Sequence, residues 1–335
     1  MSKYLAAFPL FFLLLSSNIE CANELLPNFS ELAEASSPAV VNISSSKTVS
    51  YSSRGFSPRG FNDPFDSKPS GEAMAKKLAF LACEDGEECR KPTPDLINKM
   101  GPEKDDIVRE LENLGILCLT EDLHNLLMWS HYADEHRGIV VEFDCSGQWL
   151  DCTPEENTSD WVVNEFNPVP VRYSGRRPGD DLDDEFIYEY GNAKFIKNTA
   201  LVKSNDWIYE KEHRTIIQLS SANVVIASKD IASWIEKTRT VLNVENLPED
   251  KLKITLDVRA SPYLSCEPQD AMFFVRPKPE SIRAVYFGCR FDINKMDEVY
   301  ENSKKSGYFK DVGFFRSYAD DSVFGLNFKD VRWLP

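Results

Sequence analysis

The chain predicts an α+β (mixed α/β) domain built on a single central mixed sheet flanked by helices. Three observations carry this. Gly115-Ile-Leu-Cys-Leu119 is a short apolar run of the kind that forms a buried strand. A helix-period segment follows it, and then Ile139-Val-Val-Glu-Phe-Asp144, where Ile139, Val141 and Phe143 share one face. Helical and strand patterns then alternate to the C-terminus with no internal repeat.

Before that domain the chain reads differently. In residues 1–22, Lys3 precedes an almost unbroken apolar run from Tyr4 to Leu15, followed by small and polar residues. About a dozen apolar residues suit a signal peptide and fall short of the ~20 that span a bilayer. The alternative for this segment is an amphipathic or buried N-terminal helix. No transmembrane segment is expected after it. Residues 23–56 read as leader and linker, with Ser, Gly and Pro dense from 50 to 71. The mixed domain then covers 57–335, opening with helical pieces at Glu72–Ala82, Asp95–Met100 and Asp105–Leu114.

Thr120 is a good N-cap, with Glu121 and Asp122 in the first turn behind it. A helix is expected from there to about His136, ended by Gly138. Its spacing aligns Leu123 and Leu127 with His131, and puts Trp129, Ala133 and His136 on another face. Two readings of His131 stand side by side. It is a hydrogen-bonded core residue, or a neutral imidazole near a pocket with a pKa suited to proton transfer.

A second motif, Lys203-Ser-Asn-Asp-Trp-Ile-Tyr-Glu-Lys-Glu-His-Arg214, follows an expected helix at about 187–202 and leads into the β-rich Thr215-Ile-Ile-Gln-Leu219. As a strand it projects Glu210, Glu212 and Arg214 from one face. With a helical start, Glu210 and Arg214 form an i,i+4 pair. Either way the residues serve as structural charge pairs, or as a carboxylate held by Arg or Lys for acid, base or electrostatic work. Downstream, Asp230–Leu242 and a segment from Asp292 to near Gly307 read as helices, and Leu252–Val258 and Ser281–Phe287 as strands. Val312–Tyr318 and Val323–Leu334 read as a hairpin on the main sheet.

A net charge of −16 argues against a nucleic-acid partner, whose phosphates need clustered Lys and Arg. Gly179–Glu185 is an acidic loop without calcium-loop spacing. The eight cysteines form no C-x-x-C pair, and no metal site is expected. Cys118 and Cys289 lie in apolar runs where a thiol acts as a small hydrophobe. Cysteine usage in the body of the chain fits a cytoplasmic protein, whereas the leader points to a periplasmic or secreted one.

Leu26-Pro-Asn-Phe-Ser-Glu-Leu-Ala-Glu and Ser37-Pro-Ala-Val-Val-Asn-Ile-Ser44 resemble the start of mature HtrA-type periplasmic serine proteases. No segment with the family's His or Ser follows, so no triad can assemble and protease activity is rejected. A second resemblance rests on Phe61-Asn-Asp-Pro-Phe-Asp66, Trp129-Ser-His-Tyr-Ala-Asp134 with His136 and Gly138, Val171-Arg-Tyr173, the Lys203–Arg214 motif and Ala284-Val-Tyr-Phe-Gly288. In order and spacing these are similar to the bacterial family called domain of unknown function 2971, over about residues 57–290. The resemblance implies that Asn62-Asp63-Pro64, His131 and the Glu/Arg cluster meet at one site. It also implies an opening Tyr-rich strand, whose place the leader takes here, with Tyr51 a remnant; the reading allows a sheet lacking its first strand.

Two functions stay open. The first is a transferase or hydrolase on a nucleotide-like or NAD-like substrate, by analogy with ADP-ribosyltransferase folds. Glu212 and His131 would be its catalytic residues. Asn62, Asp63, Trp129, Tyr132, His136, Lys203, Trp207, Glu210 and Arg214 would bind the small-molecule ligand. No Rossmann or P-loop motif is present, so NAD would need another binding mode. The second is a non-catalytic binding domain tied to stress or defence, or an inactive fusion product.

Overall fold

In the computed structural model the described residues are 3–7, 114–151, 165–177, 192–248, 250–257, 271–305 and 309–333. The leader beyond Ala7, the linker, the helical pieces before residue 114, Asn62-Asp63 and the acidic 179–185 stretch lie outside them. The main sheet is organised around a strand taken from the N-terminal segment. Lys3–Ala7 (β1) runs antiparallel between Leu114–Thr120 (β2) and Ile139–Asp144 (β3), with Leu5 in register with both Thr120 and Glu142. The main sheet thus has Lys3–Ala7 among its inner strands, where the sequence allows a sheet lacking its first strand.

Around this centre the strands are Glu165–Pro170 (β4), Glu212–Gln218 (β7), Ile282–Phe287 (β12), Gly313–Ala319 (β13) and Leu326–Asp330 (β14). The order is β14-β13-β12-β3-β1-β2-β7-β4, antiparallel throughout except for β12 with β13. Strand alternation does the sorting. Leu117, Leu119, Ile139, Val141, Phe143, Val285 and Phe287 face one core, sealed by Met296 and Val299 of the helix Ile293–Lys305. Asp292 starts that helix as expected, its carboxylate accepting from the Asn294 N–H at 2.9 Å. The terminal hairpin is also as expected, and its parallel pairing with β12 fixes it to the main sheet.

The opposite face of the sheet is covered in two places. Trp129 and Ala133 pack over Val140, Ala284 and Tyr286. Ile196 and Ala200, from the helix Asn192–Ala200, pack over Leu114 and Ile216. β3 is therefore buried on both faces, which apolar alternation in its sequence did not show.

Among the described residues the expected single central sheet is replaced by three sheets. Val224–Ser228 (β8), Val241–Asn246 (β9), Lys251–Leu256 (β10) and Met272–Phe274 (β11) form a separate four-stranded sheet in the order β11-β8-β10-β9. These strands bond to one another and bury Ile254, Val225 and Phe273 under Ala232 and Ile235 of the helix Lys229–Thr238. That helix ends before Arg239, so Leu242 belongs to β9 rather than to the helix. Arg172–Ser174 (β5) and Val202–Ser204 (β6) make a small parallel pair.

The helix expected from Thr120 to about His136 is one turn at each end shorter. Thr120 is the last residue of β2, and Asn125 is the cap, its Oδ1 accepting from the N–H groups of Leu127 (3.0 Å) and Met128 (3.4 Å). The helix Leu126–Tyr132 stops because Asp134, Glu135 and His136 take left-handed φ values of 44°, 50° and 69°. That tight reversal returns the chain to β3, with the Gly138 N–H bonded to the Ala133 carbonyl at 2.9 Å.

The reversal is held from outside by the turn after β12. The Gly288 N–H donates to the Gly138 carbonyl at 2.9 Å, and the Arg290 N–H to the His136 carbonyl at 3.0 Å. A Cβ on Gly288 would overlap the His136 carbonyl group, which is backbone and cannot swing aside. Gly288→Ala is expected to destabilise the fold by about 1–3 kcal/mol, the usual cost of overpacking a tight site. A urea midpoint equal to wild type would show that the two turns do not depend on this approach.

Candidate functional site

The charged residues of the Lys203–Arg214 motif converge because the chain kinks between its two glutamates. Ser204 caps a short 3-10 helix, Asn205–Glu210, its hydroxyl accepting from the Asp206 N–H at 3.3 Å. Lys211 then adopts a left-handed conformation (φ 45°), and Glu212 begins β7. The motif is thus neither all strand nor an α-helix with an i,i+4 pair. Both glutamates turn towards Lys203 of β6. Its ammonium donates to Glu210 Oε2 at 2.5 Å and to Glu212 Oε2 at 2.9 Å.

Arg214 completes the cluster from the same face of β7. Its Nε donates to Glu212 Oε1 at 2.7 Å, and one terminal nitrogen donates to the Ala200 carbonyl at 2.5 Å. Glu210, Glu212 and Arg214 are 2%, 4% and 0% exposed, so all three charges are out of water. Burial of this kind is tolerable only where each charge is paired and hydrogen-bonded. Two cations and two carboxylates satisfy that condition here.

Neighbouring elements lock the cluster in place. The Tyr132 hydroxyl, at the end of the Leu126–Tyr132 helix, donates to Glu210 Oε1 at 2.5 Å. Thr120 donates its hydroxyl to the Glu210 carbonyl at 2.7 Å, and Asn125 donates through Nδ2 to the Tyr209 carbonyl at 2.5 Å. Lys203 also lies 5.1 Å from the Trp207 ring centroid, a cation–π distance. The Glu212 N–H donates to the Tyr173 hydroxyl at 2.8 Å. Cys118 of β2 is solvent-exposed and lies in register with Arg214.

The two carboxylates ionise in opposite directions. Burial pushes Glu212 up, but the charges of Arg214 and then Lys203 outweigh it and hold the group at about 2. Burial also pushes Glu210 up, and there Lys203 and the Tyr132 hydrogen bond only partly offset it, so its pKa stays raised. Burial would lower Lys203, yet Glu212 and Glu210 more than reverse this and keep it charged.

Of the residues the sequence singled out, Tyr132, Lys203, Trp207, Glu210, Glu212 and Arg214 therefore meet. His131 does not join them. It is exposed, with its ring centroid 6.2 Å from Tyr209 and 6.4 Å from Tyr132. Starting the helix at Leu126 turns Met128 and Trp129 inward instead, and leaves Leu127 48% exposed. Trp129 is a core residue whose indole N–H donates to the Leu123 carbonyl at 2.8 Å. His136 stacks on it at 6.3 Å, its pKa lowered by burial and by Arg290. Both belong to the reversal beside β3 rather than to the cluster.

Two further residues of the cluster, Thr120 and Tyr173, carry no sequence signal for this site: Thr120 has the chemistry of a helix cap, and Tyr173 lies in the Val171–Tyr173 segment. Cys118, read as a buried hydrophobe, is the exposed member of β2, and Cys289 lies in a turn after β12 rather than in a strand. No group of three or more potential metal ligands occurs among the described residues. No helix among them is long and apolar enough to cross a membrane.

A family model described as protein of unknown function (DUF2971) matches residues 128–215, about a quarter of the 335-residue chain. The matched stretch runs from within the Leu126–Tyr132 helix to one residue past Arg214, and so holds Tyr132, Tyr173, Lys203, Glu210 and Glu212. No curated protein and no solved structure matches the chain.

Glu212 links the cluster to acid stability. Its folded pKa, about 2, lies below its ordinary value of 4.5, so the stabilisation is fully present above 4.5 and is lost as pH falls towards 2. Glu210, with a raised pKa, acts in the opposite sense: ionising it costs stability as pH rises through that value. Glu212→Gln should be less stable than wild type at neutral pH and should show a flatter stability profile across the acid range. Urea midpoints measured against pH check this, and parallel profiles would remove Glu212 from the acid transition.

Proposed function

We propose that the domain is a transferase or hydrolase for a nucleotide-like or NAD-like small molecule, with its chemistry at the Glu210–Glu212 pair. The observation that carries this reading is one buried lysine bridging two buried carboxylates, of which Glu210 also accepts from the half-buried Tyr132 hydroxyl. Neighbouring groups whose environments push their pKa values apart are suited to separate acid–base and electrostatic roles. Glu212, held ionised, supplies fixed negative charge that favours a cationic, oxocarbenium-like centre. Glu210, with its raised pKa, accepts and returns a proton.

Tyr132 connects that carboxyl to the outside, since it is half-buried and its hydroxyl already donates to Glu210. A water or hydroxyl nucleophile gives its proton to the Tyr132 oxygen while the Tyr132 proton passes to Glu210. Trp207 and Tyr209, half-buried with ring centroids 6.2 Å apart, offer surfaces on which a planar base can stack. The family match ending just past Arg214 supports treating these residues as one unit.

A non-catalytic binding domain is the second reading, and one observation favours it. The four buried charges balance and pair with each other, so the cluster is stable without a ligand. Purified full-length protein incubated with NAD separates the two. Turnover above background, reduced about 10²-fold or more in Tyr132→Phe and Glu210→Gln at unchanged fold, is expected for general acid–base work. Background-level turnover in wild type and variants alike, with only melting temperature affected, would leave the cluster as a structural clasp.

A further inference from the structure

One hydroxyl of the cluster has a proton without an assigned acceptor. Tyr173 accepts the Glu212 N–H at 2.8 Å, which uses its oxygen as acceptor and leaves its own O–H to be placed. Among the described residues no carboxylate, carbonyl or imidazole takes that proton. The other hydroxyls of the site differ: Tyr132 donates to the Glu210 carboxylate and Thr120 to the Glu210 carbonyl. Tyr173 lies on β5 in register with Lys203, its ring half-buried, between exposed Arg172 and half-buried Ser174. Burial, then the charges of Glu212 and Glu210, push its phenol up to about 12, so it keeps its proton near neutrality and can act there as a donor.

We propose that Tyr173 is a ligand-positioning residue of this site, its hydroxyl donating to an acceptor oxygen, a phosphate or a sugar hydroxyl, of the bound small molecule. This rests on the reading of the cluster as a nucleotide-processing centre. The Glu212 N–H fixes the phenol oxygen, so the donor's position is set by the backbone of the strand that carries the Glu212 carboxylate. Such a group aligns the ligand without taking part in proton transfer, and its loss falls on binding rather than on the chemical step.

The test uses the full chain as wild type, Tyr173→Phe and Tyr132→Phe, assayed for NAD turnover and titrated with ADP-ribose and with adenosine. The expected result for Tyr173→Phe is a KM raised about tenfold with kcat within about twofold, the size of one neutral hydrogen bond. Tyr132→Phe should instead lose kcat. Weakened binding of ADP-ribose but not adenosine assigns the acceptor to phosphate, and weakening of both assigns it to the sugar. If wild type turns over NAD and Tyr173→Phe matches it in KM and in both titrations, the Tyr173 assignment is overturned while the wider reading stands. Wild type that neither turns over nor binds any of the three probes overturns both. Should Tyr173→Phe fail to fold, 3-fluorotyrosine at 173 keeps the acceptor oxygen and strengthens the donor. A lowered KM then supports the assignment, and an unchanged one overturns it.

Discussion

One ammonium group shared by two buried carboxylates sets the arrangement of this half of the molecule. Lys203 reaches Glu210 and Glu212 from opposite sides of the Lys211 kink, and it can do so only because that residue turns left-handed. The glutamates in turn are met by side chains from neighbouring elements. Tyr132 closes on Glu210 from the helix after Asn125, and Arg214 closes on Glu212 from the next residue along the same strand face. Removing one of the four charged side chains leaves an unbalanced charge in the interior, at a cost of about 3–5 kcal/mol. The cluster thereby ties strand, 3-10 helix and α-helix together.

The cluster lies in the gap between two hydrophobic patches on one face of the main sheet. On one side Trp129 and Ala133 cover Val140 and Tyr286, and on the other Ile196 and Ala200 cover Ile216. Thr120 and Cys118 of β2 occupy the strip between, paired in register with Glu212 and Arg214. The opposite face has one continuous core from Leu117 to Phe314. A sheet with one dry face and one divided face has a rigid backing behind its polar strip, which is where positioned side chains hold their geometry best.

Much of this was legible where the signal is local. Gly115–Leu119 and Ile139–Asp144 read as strands because an apolar run and period-two alternation are properties of the segments themselves. The charged motif at 203–214 was legible as a group of ions at short spacing. What escaped depended on distant partners. Thr120 has the chemistry of a helix cap, but its hydroxyl is used on the Glu210 carbonyl 90 residues away, and Asn125 takes the capping role. That shift of the helix start moved His131 from the expected apolar stripe to the surface. Cys118 could have been found: Leu117 and Leu119 claim one face of the strand, so the thiol between them belongs to the other. The separate four-stranded sheet was hidden because strand pairing, unlike strand formation, leaves no mark in a single segment.

The placement of Lys3–Ala7 has a consequence for how the molecule is made. Its register partners are Thr120 and residues 140–144, so this pairing spans more than a hundred residues of chain. Closing so long a loop is entropically slow, and topologies dominated by such contacts fold late. Until Lys3–Ala7 docks, β2 and β3 each present an unbonded edge to the other, and the sheet exists as two halves. Docking of that strand joins the two halves of the main sheet, and before it the chain is most open to mispairing along the seam the strand will fill.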